Sequence, residues 1–327
     1  MKDDAQAHPP TLVLERRARA FVEAYRCPAH GEEPGTAASR ARMAALWNGD
    51  GPDEAVEEEW LALPACRGNR VRVRVLRPAG SDGPLPVVLY LHGLGWMLTD
   101  AYAHRRLVTD LVLGAEAAVV VPEYDRPADA RHPAAVEQAY TVSRWIAGHG
   151  GEHGLDGTRM AVAGASAGAH HAAALTLLAR GRGGPLFRCQ VLICPVTDAA
   201  MDTPSYRQFA DGYFLGRAAM DAYWQQYAPD PGTRRQGTVS PLRAPTHQLR
   251  GVPPALVLTA EADVLRDEGE AYAARLREAD VPVVSVRYHG TIHGFVLFDL
   301  LRATDASRAA RLQIMDTLHI SLRPRER

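Results

Sequence analysis

The stretch Met160-Ala161-Val162-Ala163-Gly164-Ala165-Ser166-Ala167-Gly168-Ala169-His170-His171 decides the fold. A short apolar run stops at a Gly-x-Ser-x-Gly turn. A helix-length, alanine-rich stretch, Ala167 to Arg180, follows at once. Serine held by glycines between a strand and a helix is a nucleophile elbow. The turn is tight, so side chains at the glycine positions would collide with the neighbouring strand and helix. Strain at the serine lifts its hydroxyl above the sheet edge. It also places it at a helix N-terminus, whose N–H groups favour negative charge.

Working outward, apolar runs of the same kind recur at Val87–Leu91, Val119–Val121, Val191–Ile193, Ala255–Leu258 and Val283–Val286. Continuous apolar runs suit strands covered on both faces. Val71, Val73 and Val75 alternate with arginine, as in a half-exposed strand. Between the runs lie helix-length stretches: His104–Leu113, Ala134–Ala147, Ala167–Arg180 and Glu268–Ala279. Strands and helices in alternation imply an α/β fold, with a mostly parallel sheet flanked by helices. Residues 1–65 read instead as helices. Leu14, Ala18, Phe21, Val22 and Tyr25 share one helical face, and Ser39–Trp47 and Glu54–Trp60 look like two further short helices. Residues 197–250 interrupt the alternation with Tyr206, Phe209, Tyr213, Phe214, Tyr223, Trp224 and Tyr227. The expected division is a core of residues 66–196 and 251–327, under a helical cap made of residues 1–65 and 197–250. An aromatic cap over a sheet edge makes an apolar pocket.

Composition bounds the function. The chain has 327 residues, with Lys+Arg 37 against Asp+Glu 38 and a net charge of −1. With near-neutral charge and no basic block, no nucleic-acid or anionic-membrane partner is expected. No apolar run approaches the roughly 20 residues a bilayer needs. The N-terminus lacks the apolar segment of a signal peptide. Cys27, Cys66, Cys189 and Cys194 show neither CxxC nor zinc spacing, as in reduced thiols of a cytoplasmic protein. Cys189 and Cys194 sit in an apolar run and read as core.

Three further segments carry chemistry. His92-Gly93-Leu94-Gly95-Trp96 ends the Val87–Leu91 run and offers backbone N–H groups above the sheet. Acyl transfer needs such donors for the charge that develops on the carbonyl oxygen. Asp263 follows Ala255–Leu258, and His293 follows Val283–Val286. Ser, Asp, His is the chain order of an α/β-hydrolase triad. Serine is a weak nucleophile until a base such as His293, oriented by a carboxylate such as Asp263, takes its proton. Asp267 reads as a helix-start carboxylate, and the rival base His289 lacks the following Gly-Phe. His149 and His153 flank a Gly-Gly, while His170 and His171 point to different helix faces, so no metal is expected. The glycines around Ser166 lack the acidic residue of a dinucleotide fingerprint, so no cofactor is expected.

Together these motifs resemble the hormone-sensitive-lipase-like family of α/β-hydrolase carboxylesterases, which includes bacterial acetyl esterases. The family's His-Gly-Gly-Gly stands here as His92-Gly93-Leu94-Gly95. Its Gly-Asp-Ser-Ala-Gly-Gly stands as Gly164-Ala165-Ser166-Ala167-Gly168-Ala169. Its Asp-Pro-Leu-Arg-Asp-Glu stands as Asp263-Val264-Leu265-Arg266-Asp267-Glu268, and its His-Gly-Phe is intact at His293-Gly294-Phe295. The resemblance implies Ser166 as nucleophile, His293 as base and Asp263 as its orienter. It implies oxyanion donors on Leu94, Gly95 and Ala167, with Gly93 shaping the turn. Trp96, Tyr124, Tyr213, Phe214 and Phe295 are expected to line the substrate pocket. Leu94 and Ala165 depart from the family pattern, and the segment after Tyr124 is much altered.

Two activities fit. The first is a serine carboxylesterase acting on a small-molecule ester with a short acyl group, O-acetyl among them. The second is a lyase or cyclase on the same fold, of the kind recruited for specialised biosynthesis, in which His293 abstracts a proton α to a carbonyl and a carboxylate such as acetate leaves. A cytoplasmic monomer or homodimer is expected in either case.

Overall fold

Among the described residues, eight strands form one sheet: β1 (Val56–Pro64), β2 (Arg70–Pro78), β3 (Leu85–Leu91), β4 (Ala118–Glu123), β5 (Leu155–Ala165), β6 (Gln190–Ile193), β7 (Ala255–Ala262) and β8 (Val283–Ile292). The structure, a computed structural model, describes residues 12–25, 46, 53–64, 70–93, 95–96, 104–125 and 130–324. The strand order is β1-β2-β4-β3-β5-β6-β7-β8. From β4 to β8 every pairing is parallel, while β2 is antiparallel to both β1 and β4. The main helices are α1 (Arg16–Ala24), α2 (Arg105–Ala115), α3 (Ala134–His149), α4 (Ala167–Gly181), α5 (Pro204–Gln208), α6 (Arg217–Tyr227), α7 (Arg266–Glu278) and α8 (Asp305–Leu322). No described helix is long and apolar enough to cross a membrane.

The apolar runs are explained by two cores, one on each face of the sheet. In β5, Ala161 and Ala163 face one core while Met160 and Val162 face the other. In β3, Val88 and Tyr90 alternate in the same way with Val87, Leu89 and Leu91. A strand between two apolar layers has no polar face, which is why alternation is missing there.

The expected helix at Glu54–Trp60 is corrected by the structure. Residues 56–64 are the edge strand β1, paired along its whole length with β2. Its glutamates face the arginines of β2: Glu58 meets Arg74 at 2.7 Å and Glu59 meets Arg77 at 3.1 Å. Arg72 also lies 4.4 Å over the Trp60 ring. Cross-strand partners on the next strand override a weak local helix preference. The expected helix at Ser39–Trp47 falls almost wholly outside the described residues. α1 matches its expected face, with Ala18, Phe21 and Val22 buried. It reaches residues 197–250 through Phe21, which packs edge-on against Phe214 at 5.3 Å and stacks on Phe298 at 5.2 Å.

Close backbone packing sets the elbow. A Cβ on Gly168 would lie 1.9 Å from the Leu91 carbonyl oxygen and 2.7 Å from the His92 carbonyl carbon. Both are backbone atoms and cannot swing away. Gly168→Ala is therefore expected to lower stability by about 3 kcal/mol, the upper end of ordinary overpacking costs. Urea unfolding checks this: the midpoint drops, whereas an unchanged midpoint would show that α4 can slide off β3.

Candidate active site

Three strand ends bring the chemistry together. Ser166 follows β5 and caps α4 with φ 56° and ψ −123°, the strained backbone of an elbow. Its amide donates to the Ile193 carbonyl of β6 at 2.8 Å, which ties the strained residue to the sheet. Asp263 directly follows β7 and His293 directly follows β8. His293 Nδ1 lies 2.8 Å from Asp263 Oδ2, and His293 Nε2 lies 3.0 Å from Ser166 Oγ. Asp263 accepts a second bond at Oδ1, from the Leu265 amide at 3.0 Å. A carboxylate only accepts, so Nδ1 carries the proton and Nε2 is left to accept from the serine hydroxyl. Ser166, Asp263 and His293 are all buried, at 8%, 1% and 6% exposure, which keeps water from screening the relay.

The loop that follows β3 meets the elbow from the side. A Cβ on Gly93 would lie 2.3 Å from the Ala165 carbonyl oxygen and 3.3 Å from Ser166 Cβ, so the loop passes directly against Ser166. Gly95 follows with φ 62°. Ala167 opens α4, where the leading amides have no carbonyl one turn earlier. Leu94 lies outside the described residues. Backbone amides beside a serine–imidazole relay can hold a carbonyl oxygen as it gains charge.

A sequence model of the α/β-hydrolase fold matches residues 88–297, well over half of the chain. This chain belongs to the α/β-hydrolase family. Carboxylesterase NlhH of Mycobacterium tuberculosis is 34% identical over 264 residues, covering 80% of this chain and 81% of that protein. An ethyl acetate hydrolase of Pseudomonas putida is 35% identical over 239 residues, covering 72% and 74%. A crystal structure of a thermostable esterase from Pseudomonas putida superposes with a TM-score of 0.90 at 41% identity, covering 97% of this chain and 100% of that one. The hydrolase thus falls among the hormone-sensitive-lipase-like esterases, and its enzyme class is serine hydrolase.

The aromatic residues expected around the pocket divide by place. Tyr213 and Phe214 are partly exposed in the 197–250 segment, Tyr213 edge-on to Phe209 and Phe214 edge-on to Phe21 and Phe298. Tyr124 packs behind the loop that follows β3: its ring stacks on His92 at 4.3 Å and its hydroxyl donates to the His92 carbonyl. Trp96 is buried and stacked on Tyr227 at 4.5 Å. Phe295 is fully buried, tilted against Tyr288. The rival base His289 is exposed and pairs with Glu261 at 3.0 Å.

Some neighbours of the site were not foreseen in sequence. Tyr223 of α6 lies over Gly95; a Cβ there would meet three of its ring atoms at 2.6–2.8 Å. Cys194, just past β6 with φ 45°, brings its thiol within 4.8 Å of ligand-type atoms of Asp263 and His293. Burial and the Asp263 charge push that thiol's pKa well up, so it stays a neutral S–H. Cys189 and Cys194 are both free and buried. Glu268 is buried in the first turn of α7 and accepts the Thr197 amide at 2.6 Å. Burial, the main effect, raises its pKa well above the usual carboxylate range. None of these contacts joins residues close in sequence, and no local pattern announces them.

Proposed function

We propose that this hydrolase is a serine carboxylesterase that cleaves short-chain acyl esters, O-acetyl esters among them. The observation that carries the reading is the continuous relay from Ser166 Oγ through His293 to Asp263. Ser166 Oγ attacks the ester carbonyl while His293 Nε2 takes its proton. Asp263 holds the imidazole in the tautomer that can accept it and faces the imidazolium that forms. The amides of Gly95 and Ala167 take the oxyanion. His293 then gives its proton to the leaving alcohol, an acyl-serine remains, and water activated by the same imidazole releases the acid. Tyr223 over Gly95 favours a small acyl group. A hydroxyl already bonded to the imidazole favours nucleophilic attack over a merely positioning serine, and so favours hydrolysis over elimination.

The test is turnover in ¹⁸O-labelled water of p-nitrophenyl acetate, butyrate and octanoate, with a β-acetoxy ketone alongside. The expected result is fast release from acetate and butyrate and slower release from octanoate. The acetoxy ketone should yield the β-hydroxy ketone and acetate carrying one label. An enone with unlabelled acetate would replace the esterase by the lyase.

A further inference from the structure

His170 lies one turn into α4, and its amide bonds to the Ser166 carbonyl at 3.0 Å. Its side chain is fully buried and takes no part in the relay. His170 Nε2 lies 2.9 Å from the Val239 carbonyl oxygen. A carbonyl only accepts, so Nε2 carries the proton and Nδ1 has a bare lone pair. Into that lone pair the Trp96 indole Nε1–H donates at 3.3 Å. Both nitrogens are therefore used, and the bond accepted from Trp96 needs a neutral ring. Burial, with a smaller contribution from His132, lowers the His170 pKa to about 3, which keeps the ring neutral at working pH.

Trp96 needs this anchor. Its φ is 62°, directly after Gly95 at 62°. A bulky side chain in the left-handed region persists only where its surroundings hold it. The indole is gripped by Tyr227, stacked at 4.5 Å and 4°, by Trp224 at 4.8 Å, and edge-on by His170 at 5.4 Å. Only His170 gives it a hydrogen bond on the described side chains, and only His170 stands on the nucleophile's own helix.

We propose that His170 is a positioning residue for the oxyanion loop. By accepting from Trp96 it fixes the Gly95 amide relative to Ser166, so the oxyanion donor and the nucleophile ride on one rigid unit. The proposal rests on the esterase reading for its kinetic consequence, but not for the anchor itself. Oxyanion donors act only within a few tenths of an ångström of their target, and misplacement by about 1 Å costs on the order of 10²-fold.

The experiment compares His170→Phe, which keeps a ring and cannot accept, with His170→Gln, which offers an oxygen to Trp96 and an N–H to Val239. Trp96→Phe removes the donor without touching α4. In His170→Phe, kcat on p-nitrophenyl butyrate is expected to fall about 10- to 100-fold with KM within about twofold. Affinity for an alkyl trifluoromethyl ketone, which presents an oxyanion, should fall by the same factor as kcat. His170→Gln should return to within about threefold of wild type, and Trp96→Phe combined with His170→Phe should be no worse than either alone. Wild-type kcat in either Phe variant, failure of Gln to recover, or multiplying effects in the double variant would each overturn the proposal. A His170 variant that does not fold leaves Trp96→Phe to decide. If the wild type turned over no ester, the esterase reading would fall, and the anchor would be judged by NMR. The Trp96 indole N–H resonance should shift and lose its slow exchange in His170→Phe and regain both in His170→Gln; an unmoved resonance would overturn it.

Discussion

Ser166→Ala should lower kcat on a short p-nitrophenyl ester by about 10⁴- to 10⁶-fold, with the fold and thermal midpoint retained. In the proposed mechanism the serine hydroxyl forms the acyl bond, and His293 Nε2 lies 3.0 Å from it with no other hydroxyl bonded there among the described residues. Removing Oγ leaves the imidazole able to activate water only, while the oxyanion donors remain. The residual rate is then that of the binding site and donors without a covalent path. Relief of a strained, non-glycine φ is not expected, because alanine meets the same penalty as serine at 56°. Steady-state kinetics with burst analysis checks this. A variant within about tenfold of wild type would show that another group takes the acyl chain.

The second large effect is on stability below neutral pH. His104, His170 and His171 are fully buried, and desolvation is the chief cause that holds each pKa down, to about 3 for His104 and His170 and well below the usual 6.5 for His171. Each folded pKa lies below its unfolded value. The unfolded chain thus takes up these protons near pH 6.5, while in the folded chain His104 and His170 do so only near pH 3 and His171 well below its ordinary value. In that window the unfolded state binds more protons, so stability is full above pH 6.5 and falls as pH drops. Three such groups give a slope of up to about 4 kcal/mol per pH unit. Glu268 acts with the opposite sign. Its raised pKa means that its share of stability is present below its unfolded value and fades as pH rises through the folded one. A domain stability of about 5–15 kcal/mol cannot absorb the histidine slope for long, so unfolding at 25 °C is expected well before pH 3. Thermal melts from pH 8 to pH 4 should show Tm falling steeply below about pH 6. A flat Tm down to pH 4.5 would mean that these rings take protons in the folded state.

Much of this was legible because it is local. The β5–α4 elbow is a contiguous run, and the order Ser166, Asp263, His293 follows from three apolar strands each ending in a reactive side chain. The buried strands could be read because two apolar cores leave them no polar face. What could not be read depends on residues far apart in the chain. β1 is rich in glutamate, and its pairing with β2, arginines facing glutamates, sets it as a strand. Trp96 carries aromatic bulk suited to a pocket, but its left-handed backbone and its bond to His170 appear only in the fold. The packing of Tyr124 on His92 is likewise invisible in the sequence. Tyr223 reaches Gly95 only because α6 folds over the oxyanion loop, and Cys194 reaches Asp263 only because β6 and β7 are neighbours.

The central claim is that Ser166 accepts the acyl group. The most direct measurement is intact and peptide mass spectrometry after incubation with an alkyl p-nitrophenyl phosphonate, whose phosphorus is captured by an activated serine. One adduct per chain is expected, on the peptide carrying Gly164-Ala165-Ser166-Ala167-Gly168, absent in Ser166→Ala. A folded wild-type chain that stays unmodified, or one modified elsewhere, would contradict it.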